Sequence, residues 1–347
     1  MMLESFVFKH LSVRTVLLST SFLYVSFVQA QEKKNVLFII VDDLRPELGC
    51  YGSEAAITPF IDGLAAQSVI FQNAYCNVPV SGASRSSLLT GVYPDITQKR
   101  FVDAETWSQK DLPGVITLPQ AFKNAGYYTM SVGKVFHHFN DRTDSWSEFP
   151  WIVSPASGDW ALYNKWHVWK NEIPEEELHP QSHRGPYCEG ADVPDSCYED
   201  NKIARKAVAE LGRLKEKKQP FFLAVGFRKP HLPFIAPQKY WDLYEREDIK
   251  IADNRYRSEN LPEQVQNSRE IFQYTHVGNT SDEGFHREAR HAYYACVSFI
   301  DTQIGIVLNE LKRLNLTDNT IVVLLGDHGW HLGEHDFWGK HTLFNQA

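Results

Sequence analysis

The feature that most constrains the fold is an unbroken apolar run at 35–42, which reads NVLFIIVD. A strand with no polar position along most of its length is buried on both faces, as in a parallel sheet covered by helices. A second such run, TIVVLLG at 320–326, lies far away in the sequence. The two runs together predict an α/β fold with a mainly parallel central sheet flanked by helices.

Further segments would complete this sheet and cover it. Threonine followed closely by proline at 58–59 and 117–119 is typical of a capped helix start. Strands are predicted at 69–74, 127–132 and 221–226, and helices from residue 58, from residue 117, at 201–215 and at 290–311. In such sheets, functional sites form beyond the carboxyl ends of the strands.

Composition and charge exclude several classes of protein. Hydrophobic residues make up 43% of the 347 residues and charged residues 22%, which excludes a disordered chain and a multi-span membrane protein. The net charge is −8. Because an acidic chain without a basic run is a poor nucleic-acid binder, we expect no nucleic-acid partner. Local cations or a metal would bind any anionic ligand.

Residues 1–30 have the pattern of a secretory signal. Lys9 and Arg14 precede an apolar stretch at 16–28, and Val28-Gln29-Ala30 lies at its end. The stretch is short for a membrane span, and the small residues suit cleavage after Ala30. We expect export to the periplasm or beyond, with no membrane attachment after cleavage. An uncleaved anchor helix is the alternative.

The five cysteines are too few for a disulfide scaffold. Cys188 and Cys197 are close in sequence, and we expect a local disulfide between them in an exported protein. Cys50, Cys76 and Cys296 are expected to be small buried residues.

Residues 140–200 interrupt the alternation of strands and helices and are interpreted as a long insertion. Five of the nine tryptophans lie here: Trp146, Trp151, Trp160, Trp166 and Trp169. Such rings could stack on sugars, but packing of the insertion itself is the preferred interpretation.

Charged residues follow both apolar runs. Asp42 and Asp43 end the first, and Asp327 and His328 end the second. Adjacent carboxylates repel each other unless a cation lies between them, so the pattern predicts a divalent metal site. Oxygen ligands favour calcium or magnesium, whereas the histidine leaves zinc open.

A serine-rich segment at 81–91 reads SGASRSSLLTG. A helix is predicted from Ser84 onward, which places Ser81 at or just before its N-terminus, where free N–H groups favour an anion. Arg85 follows one turn later and could turn back toward Ser81. A helix cap followed by an ordinary serine-rich turn is the alternative.

Five blocks carry a family resemblance. They lie at 41–52 (VDDLRPELGCYG), 81–91, 131–137 (SVGKVFH), 226–234 (GFRKPHLPF) and 327–335 (DHGWHLGEH). In this order they resemble the formylglycine-dependent sulfatases of the alkaline-phosphatase-like superfamily, above all the iduronate-2-sulfatase branch. The resemblance implies that 31–347 is the N-terminal catalytic domain of this fold. It also implies that the smaller C-terminal subdomain is missing from this sequence.

The resemblance implies a formylglycine (3-oxoalanine) at Ser81. The pattern Ser-x-Ala-x-Arg is similar to the serine type, which a radical iron–sulfur maturase oxidises in bacteria. One oxygen of the hydrated aldehyde attacks sulfur, and the other later expels sulfate. The implied metal is one calcium ion, with ligands from Asp42, Asp43, Ser81, Asp327 and His328.

The resemblance also implies roles for other positions. The cations that neutralise the sulfate would be Arg85, Lys134 and Lys340. The groups that move protons would be Asp327, His137 and His231. The side chains that line the sugar pocket would be Trp330 and His341. His341 stands where the branch more often carries tyrosine.

The implied function is hydrolysis of sulfate esters in a sulfated polysaccharide or its oligosaccharides. Uronate 2-O-sulfates of glycosaminoglycans and algal polymers such as ulvan are the candidate substrates. One alternative is a metal-dependent phosphodiesterase or phosphonate hydrolase that uses unmodified Ser81. Another is an inactive glycan-binding homologue, whose function would survive Ser81→Ala.

Overall fold

A computed structural model of the protein describes residues 33–153, 169–262, 265 and 268–347. The predicted signal segment, Trp160 and Trp166 lie outside these residues. Asn35–Ala347 forms one structural unit. Within the described part of the chain, no helix is both long enough and apolar enough to cross a membrane.

The strands form one central sheet and two small two-stranded sheets. They are β1 (Asn35–Val41), β2 (Tyr128–Gly133), β3 (Cys188–Ala191), β4 (Phe221–Phe227), β5 (Phe234–Pro237), β6 (Thr320–Gly326), β7 (His331–Leu332) and β8 (Trp338–Gly339). The central sheet is parallel, with the order β2-β4-β1-β6. The predicted mainly parallel sheet is therefore confirmed.

The register of the central sheet brings the strand ends to one edge. Val41 at the end of β1 lies opposite Phe227 of β4 and Gly326 of β6. Gly133 at the end of β2 lies opposite Gly226. The residues that follow all four strands therefore emerge side by side.

Helices cover both faces of this sheet. They are α1 (Pro59–Ala65), α2 (Ser81–Thr90), α3 (Ser108–Asp111), α4 (Leu118–Asn124), α5 (Glu199–Glu216), α6 (Gln238–Trp241) and α7 (Glu283–Arg313). The two long helices, α5 and α7, pack against each other and share one core with the sheet. Helix α5 begins and ends within two residues of the predicted 201–215. Helix α7 ends two residues beyond the predicted 290–311 but begins seven residues before it.

The pleat of β1 distributes its apolar side chains between the two faces. Leu37, Ile39 and Val41 lie in the core that contains α5 and α7. The side chains between them, such as Phe38, point to the opposite face of the sheet. There they pack with Leu89 of α2 in a second hydrophobic core. Because both faces are covered, β1 needs no polar position, which explains its sequence.

The predicted strand at 69–74 is wrong. This segment forms a turn and irregular backbone, and Val69 and Phe71 are 81% and 71% exposed. Apolar residues stabilise a strand only when a neighbouring strand and a covering layer are present. The described residues provide neither for this segment.

The predicted disulfide is also wrong, because Cys188 and Cys197 are both free. Cys188 is half-buried within β3, whereas Cys197 is exposed in a 3₁₀ turn. Cys296 is buried as predicted, but Cys50 and Cys76 are only half-buried.

Three of the five tryptophans lie in the described part of the chain, and two of these three are buried deeply. Trp146 belongs to the core on the α2 face and Trp169 to the core on the α5 face. The packing interpretation is confirmed for these two rings, which join the inserted segment to the sheet.

Candidate active site

The residues that follow β1 and β6 form a buried acidic cluster. Asp42, Asp43, Asp327 and His328 each offer a ligand atom, and these atoms lie within 4.8 Å of one another. The parallel register brings together two pairs of residues that are far apart in sequence. The structure thus assembles the group that the strand ends predicted.

The backbone of Asp43 is held in an unusual conformation. Its φ of +59° is in the left-handed region, which costs energy for a residue other than glycine. The N–H of Asp43 donates to Asp327 Oδ1 at 3.1 Å, and the hydroxyl of Tyr293 donates to the Asp43 carbonyl at 2.6 Å. These bonds hold the sharp turn that points successive carboxylates into one cluster.

Ser81 is the first residue of α2, which begins three residues before the predicted start at Ser84, and it is buried beside the acidic cluster. The predicted place of Ser81 at the helix N-terminus is therefore confirmed. Its hydroxyl donates to Asp42 Oδ1 at 2.7 Å and lies 3.0 Å from His328 Nε2. The first turn of a helix presents unpaired N–H groups and the positive end of the dipole. Ser81 therefore lies between a potential metal site and an anion-favouring helix end.

Lys134 and Arg85 place positive charge against the same cluster. Lys134 follows β2 and forms an ion pair with Asp42. Arg85 is fully buried, and its Nε donates to Asp327 Oδ2 at 2.8 Å. It therefore turns toward Asp327 and also donates to the Lys134 carbonyl. A Cβ at Gly226 would overlap that carbonyl, so glycine is required where the strand ends meet.

A second group of side chains comes from loops. Lys340 follows β8, and its Nζ lies 3.0 Å from Asp43 Oδ1. His231, in the loop between β4 and β5, donates from Nδ1 to the Leu232 carbonyl at 2.8 Å. Its Nε2 lies 4.0 Å from Asp43 Oδ2.

Glu270 was missed by the sequence analysis. Its two oxygens lie 3.2 Å from His231 Nε2 and 3.4 Å from Lys340 Nζ. It is an isolated acid that follows no strand and belongs to none of the five blocks, so the sequence contains no signal that would find it.

The electrostatics of the cluster suit a divalent cation. Burial alone would raise the pKa of Asp42, but the charges of Lys134, His231 and Arg85 lower it well below its usual range. Burial and the neighbouring carboxylates hold the pKa of Asp43 well above its usual range in spite of Lys340. A cation between these carboxylates would relieve that repulsion. Three carboxylates and one imidazole therefore fit an oxygen-preferring ion such as calcium.

Burial, followed by the positive charge of Arg85, lowers the pKa of Lys134 to about 8 despite Asp42. The Lys134 ammonium group can therefore lose its proton at a pH only slightly above neutral. Burial, Lys134 and His138 lower the pKa of His137 well below its usual range. The His137 ring is half-buried and lies edge-on to His138, with centroids 4.8 Å apart.

The two predicted pocket residues lie in different environments. Trp330 is fully buried, and its ring lies 5.4 Å from Lys340 Nζ and edge-to-face with Phe234. His341 is exposed, with a φ of +74°. Trp330 therefore supports Lys340 in this structure, whereas His341 lies at the surface beside it.

Comparison with known proteins identifies the class. The Sulfatase family model matches residues 34–346, and the chain therefore belongs to the sulfatase family. This match confirms the resemblance that the five blocks predicted.

Two sulfatases match most of this chain in sequence. Iduronate 2-sulfatase from Mus musculus is 39% identical over 335 residues, which are 92% of this chain and 58% of the relative. A sulfatase from Formosa agariphila is 33% identical over 334 residues, covering 91% of this chain and 62% of the relative. The chain thus spans about three fifths of the length of these proteins.

A solved structure agrees with the fold. The putative sulfatase yidJ from Bacteroides fragilis matches with a TM-score of 0.60 and 25% identity, covering 92% of this chain and 68% of that one.

Proposed function

We propose that this protein hydrolyses sulfate esters of a sulfated polysaccharide or its oligosaccharides through a formylglycine made from Ser81. The observation that carries this proposal is the position of the Ser81 hydroxyl, 2.7 Å from Asp42 Oδ1 and 3.0 Å from His328 Nε2 within a buried ligand set. A serine hydroxyl is a weak nucleophile unless a base or a metal activates it.

The ligands that would hold calcium are Asp42, Asp43, Asp327, His328 and the oxygen of residue 81. When bound, the ion would neutralise the carboxylates and lower the pKa of an oxygen next to it. The modified residue would supply two oxygens, one to attack sulfur and one to expel sulfate.

The chain's cations would bind and polarise the sulfate group. Lys134, Arg85 and Lys340 are buried and held in fixed positions by ion pairs with the aspartates. Positive groups fixed before the reaction stabilise developing negative charge without reorganisation. Arg85 also fixes Asp327 Oδ2, the atom proposed to take the proton from the attacking oxygen.

Two histidines are proposed to move the remaining protons. His231 faces Asp43 from the loop side and would protonate the departing sugar oxygen through Nε2. His137, which lies near Lys134, would take the proton from the second oxygen when sulfate leaves. An imidazole can accept or donate a proton, which is the chemistry that both roles require. Burial lowers the pKa of both rings below the usual range, which favours the proton-accepting role of His137.

The substrate we favour is a uronate 2-O-sulfate of a glycosaminoglycan. This rests on the 39% identity to iduronate 2-sulfatase, a protein named for that activity. His341 at the exposed rim and Trp330 behind Lys340 are the proposed determinants of the sugar. Export through residues 1–30 and oxidation by a radical-type maturase complete the proposal.

The test begins with the chain co-expressed with a radical-type maturase. Heparin-derived disaccharides with a non-reducing 2-O-sulfated uronate are the substrates, and ion chromatography measures sulfate. We expect release by the wild type and none by Ser81→Ala, while Ser258→Ala, at an exposed serine outside the site, stays comparable to the wild type. Peptide mass spectrometry should show the loss of two hydrogens at Ser81.

Three results would contradict the proposal. Sulfate release with residue 81 unmodified would exclude the formylglycine. Glycan binding that survives Ser81→Ala, without any sulfate release, would favour the inactive homologue. Turnover of a phosphodiester or phosphonate ester by unmodified protein would favour the other hydrolase.

A further inference from the structure

Tyr293 lies in the buried middle of α7 and contacts the turn that follows β1. Its ring is buried and packs edge-to-face against Phe234, with ring centroids 5.6 Å apart. One turn earlier on the same helix, Arg290 Nε donates to the Leu332 carbonyl at 3.0 Å, in the chain that follows β6. The position of the Tyr293 hydroxyl is therefore set by a long helix that is packed against both strand ends.

This hydroxyl bridges two backbone groups of the turn. It donates to the Asp43 carbonyl at 2.6 Å and accepts from the N–H of Arg45 at 3.0 Å. Both residues are buried, and buried backbone groups need partners. Among the described residues, no backbone group bonds to either of these two atoms. The hydroxyl therefore supplies the partner that a regular turn would provide from its own backbone.

The conformation of this turn decides where the carboxylates point. Successive side chains of an extended strand point to opposite faces. Asp42 and Asp43 are adjacent in sequence, yet both offer a ligand atom to one cluster. They can do so because Asp43 leaves the strand conformation, with a φ of +59°. Such a conformation persists only where the surroundings hold it, and the bond from Tyr293 to the same residue is a restraint of that kind.

The next residue on α7 shows the contrasting case. Tyr294 is also buried, and its hydroxyl donates to Glu47 Oε2 at 2.9 Å and accepts from Arg290 Nη1 at 3.0 Å. Glu47 does not belong to the acidic cluster. One tyrosine hydroxyl thus bonds to the backbone of a predicted metal ligand, whereas its neighbour bonds only to side chains outside the ligand set.

We infer that Tyr293 is a positioning residue that sets the affinity of the acidic cluster for calcium. It does so by holding the Asp43 turn in the conformation in which two successive carboxylates converge. The inference rests on the proposed function, which assigns calcium to this cluster, and it adds a residue outside the ligand set. Tyr293 acts only through the backbone of residues 43 and 45.

The test is calcium binding by the matured full chain, measured by isothermal titration calorimetry after a chelator has removed bound metal. Tyr293→Phe removes the hydroxyl oxygen and keeps the ring. We expect its Kd for calcium to rise about 10- to 100-fold, the range for loss of a group that orients a metal ligand. Because every ligand remains, saturating calcium should restore sulfate release to near the wild-type rate.

Tyr294→Phe is the matched control, because it makes the same chemical change at the neighbouring buried residue. We expect its Kd for calcium to equal that of the wild type. Thermal unfolding of the calcium-free proteins separates support of the fold from support of the ion site. Each variant loses a buried hydroxyl that makes two hydrogen bonds, so we expect similar small decreases in Tm.

The outcomes are distinguishable. An unchanged Kd in Tyr293→Phe, or an equal loss of affinity in both variants, would overturn this inference alone. So would a Tyr293→Phe chain that fails to fold while Tyr294→Phe folds, because the hydroxyl would then support the whole fold.

Two further results concern the proposed function. A wild type that binds no calcium would overturn the assigned ion and this inference together. Weakened calcium binding in Tyr293→Phe only, without sulfate release by the matured wild type, would support this inference and overturn the proposed function.

Discussion

The site has two halves that are built differently. One consists of side chains next to the ends of parallel strands, Asp42, Asp43, Lys134, Asp327 and His328, together with the first turn of α2. The other consists of His231, Glu270, Lys340 and His341, which lie on loops or beside the short β8. The first half contains Ser81, whose hydroxyl bonds to Asp42. The second half contacts the first through Asp43, which lies near His231 and Lys340.

This difference separates two chemical tasks. Strand ends are fixed by hydrogen-bonded neighbours, so they suit ligands that must converge within a few ångströms. Loops on a rigid scaffold tolerate substitution and insertion, so they suit contacts that vary with substrate. We expect the strand-end half to govern the metal and the sulfate, and the loop half to govern the sugar oxygen.

The largest effect should come from a strand-end ligand. Asp43→Asn removes one of three converging carboxylates, and we expect sulfate release to fall on the order of 10³-fold. Calcium at about 100 times its Kd would stabilise the wild type by about 2.7 kcal/mol. We expect the rise in unfolding temperature on adding calcium to disappear in the variant, as measured by differential scanning fluorimetry.

The exposed Asp253→Asn is the matched control and should keep the full calcium response. An equal calcium response in Asp43→Asn and the wild type would mean that the strand-end half does not hold the ion.

The same division explains what could be predicted from the sequence. The apolar runs before Asp42 and Asp327 identify buried parallel strands, and the carboxyl ends of such strands meet at one edge. Position in the sequence was therefore enough to predict the acidic cluster. The turn at 69–74 shows the limit of that reasoning, because local apolarity does not reveal whether a neighbouring strand exists.

The loop half could not be derived in this way. His231 and Lys340 were assigned only by their resemblance to family motifs, since nothing in their local pattern places them at the site. Glu270 lacked even that support. Its contact with His231 depends on how the chain between β5 and α7 pairs with the segment just before β3, which is a tertiary property.

A smaller and more selective effect is expected for the loop half. His231→Ala should lower kcat on the sugar sulfate by about 10²- to 10⁴-fold, the range for loss of a general acid. On 4-nitrophenyl sulfate, whose leaving group needs little protonation, we expect a loss of less than about tenfold. Parallel kinetics on the two substrates measure this contrast.

The calcium response of His231→Ala should equal that of the wild type, because no ligand is removed. Equal losses on both substrates would show that His231 serves the sulfate side as well, and the two halves would not be separate.

The smallest effect should come from the rim. His341 is exposed, so His341→Asn removes a ring that could contact sugar while keeping a residue type that tolerates its φ of +74°. We expect KM for the disaccharide to rise about two- to fivefold with kcat unchanged, as for loss of a contact made equally before and during reaction. Leu343→Ala, which is 95% exposed on the same segment, should leave both constants unchanged. A fall in kcat at constant KM would instead place His341 with Lys340 in the chemistry, and the boundary between the two halves would then lie further out than the geometry indicates.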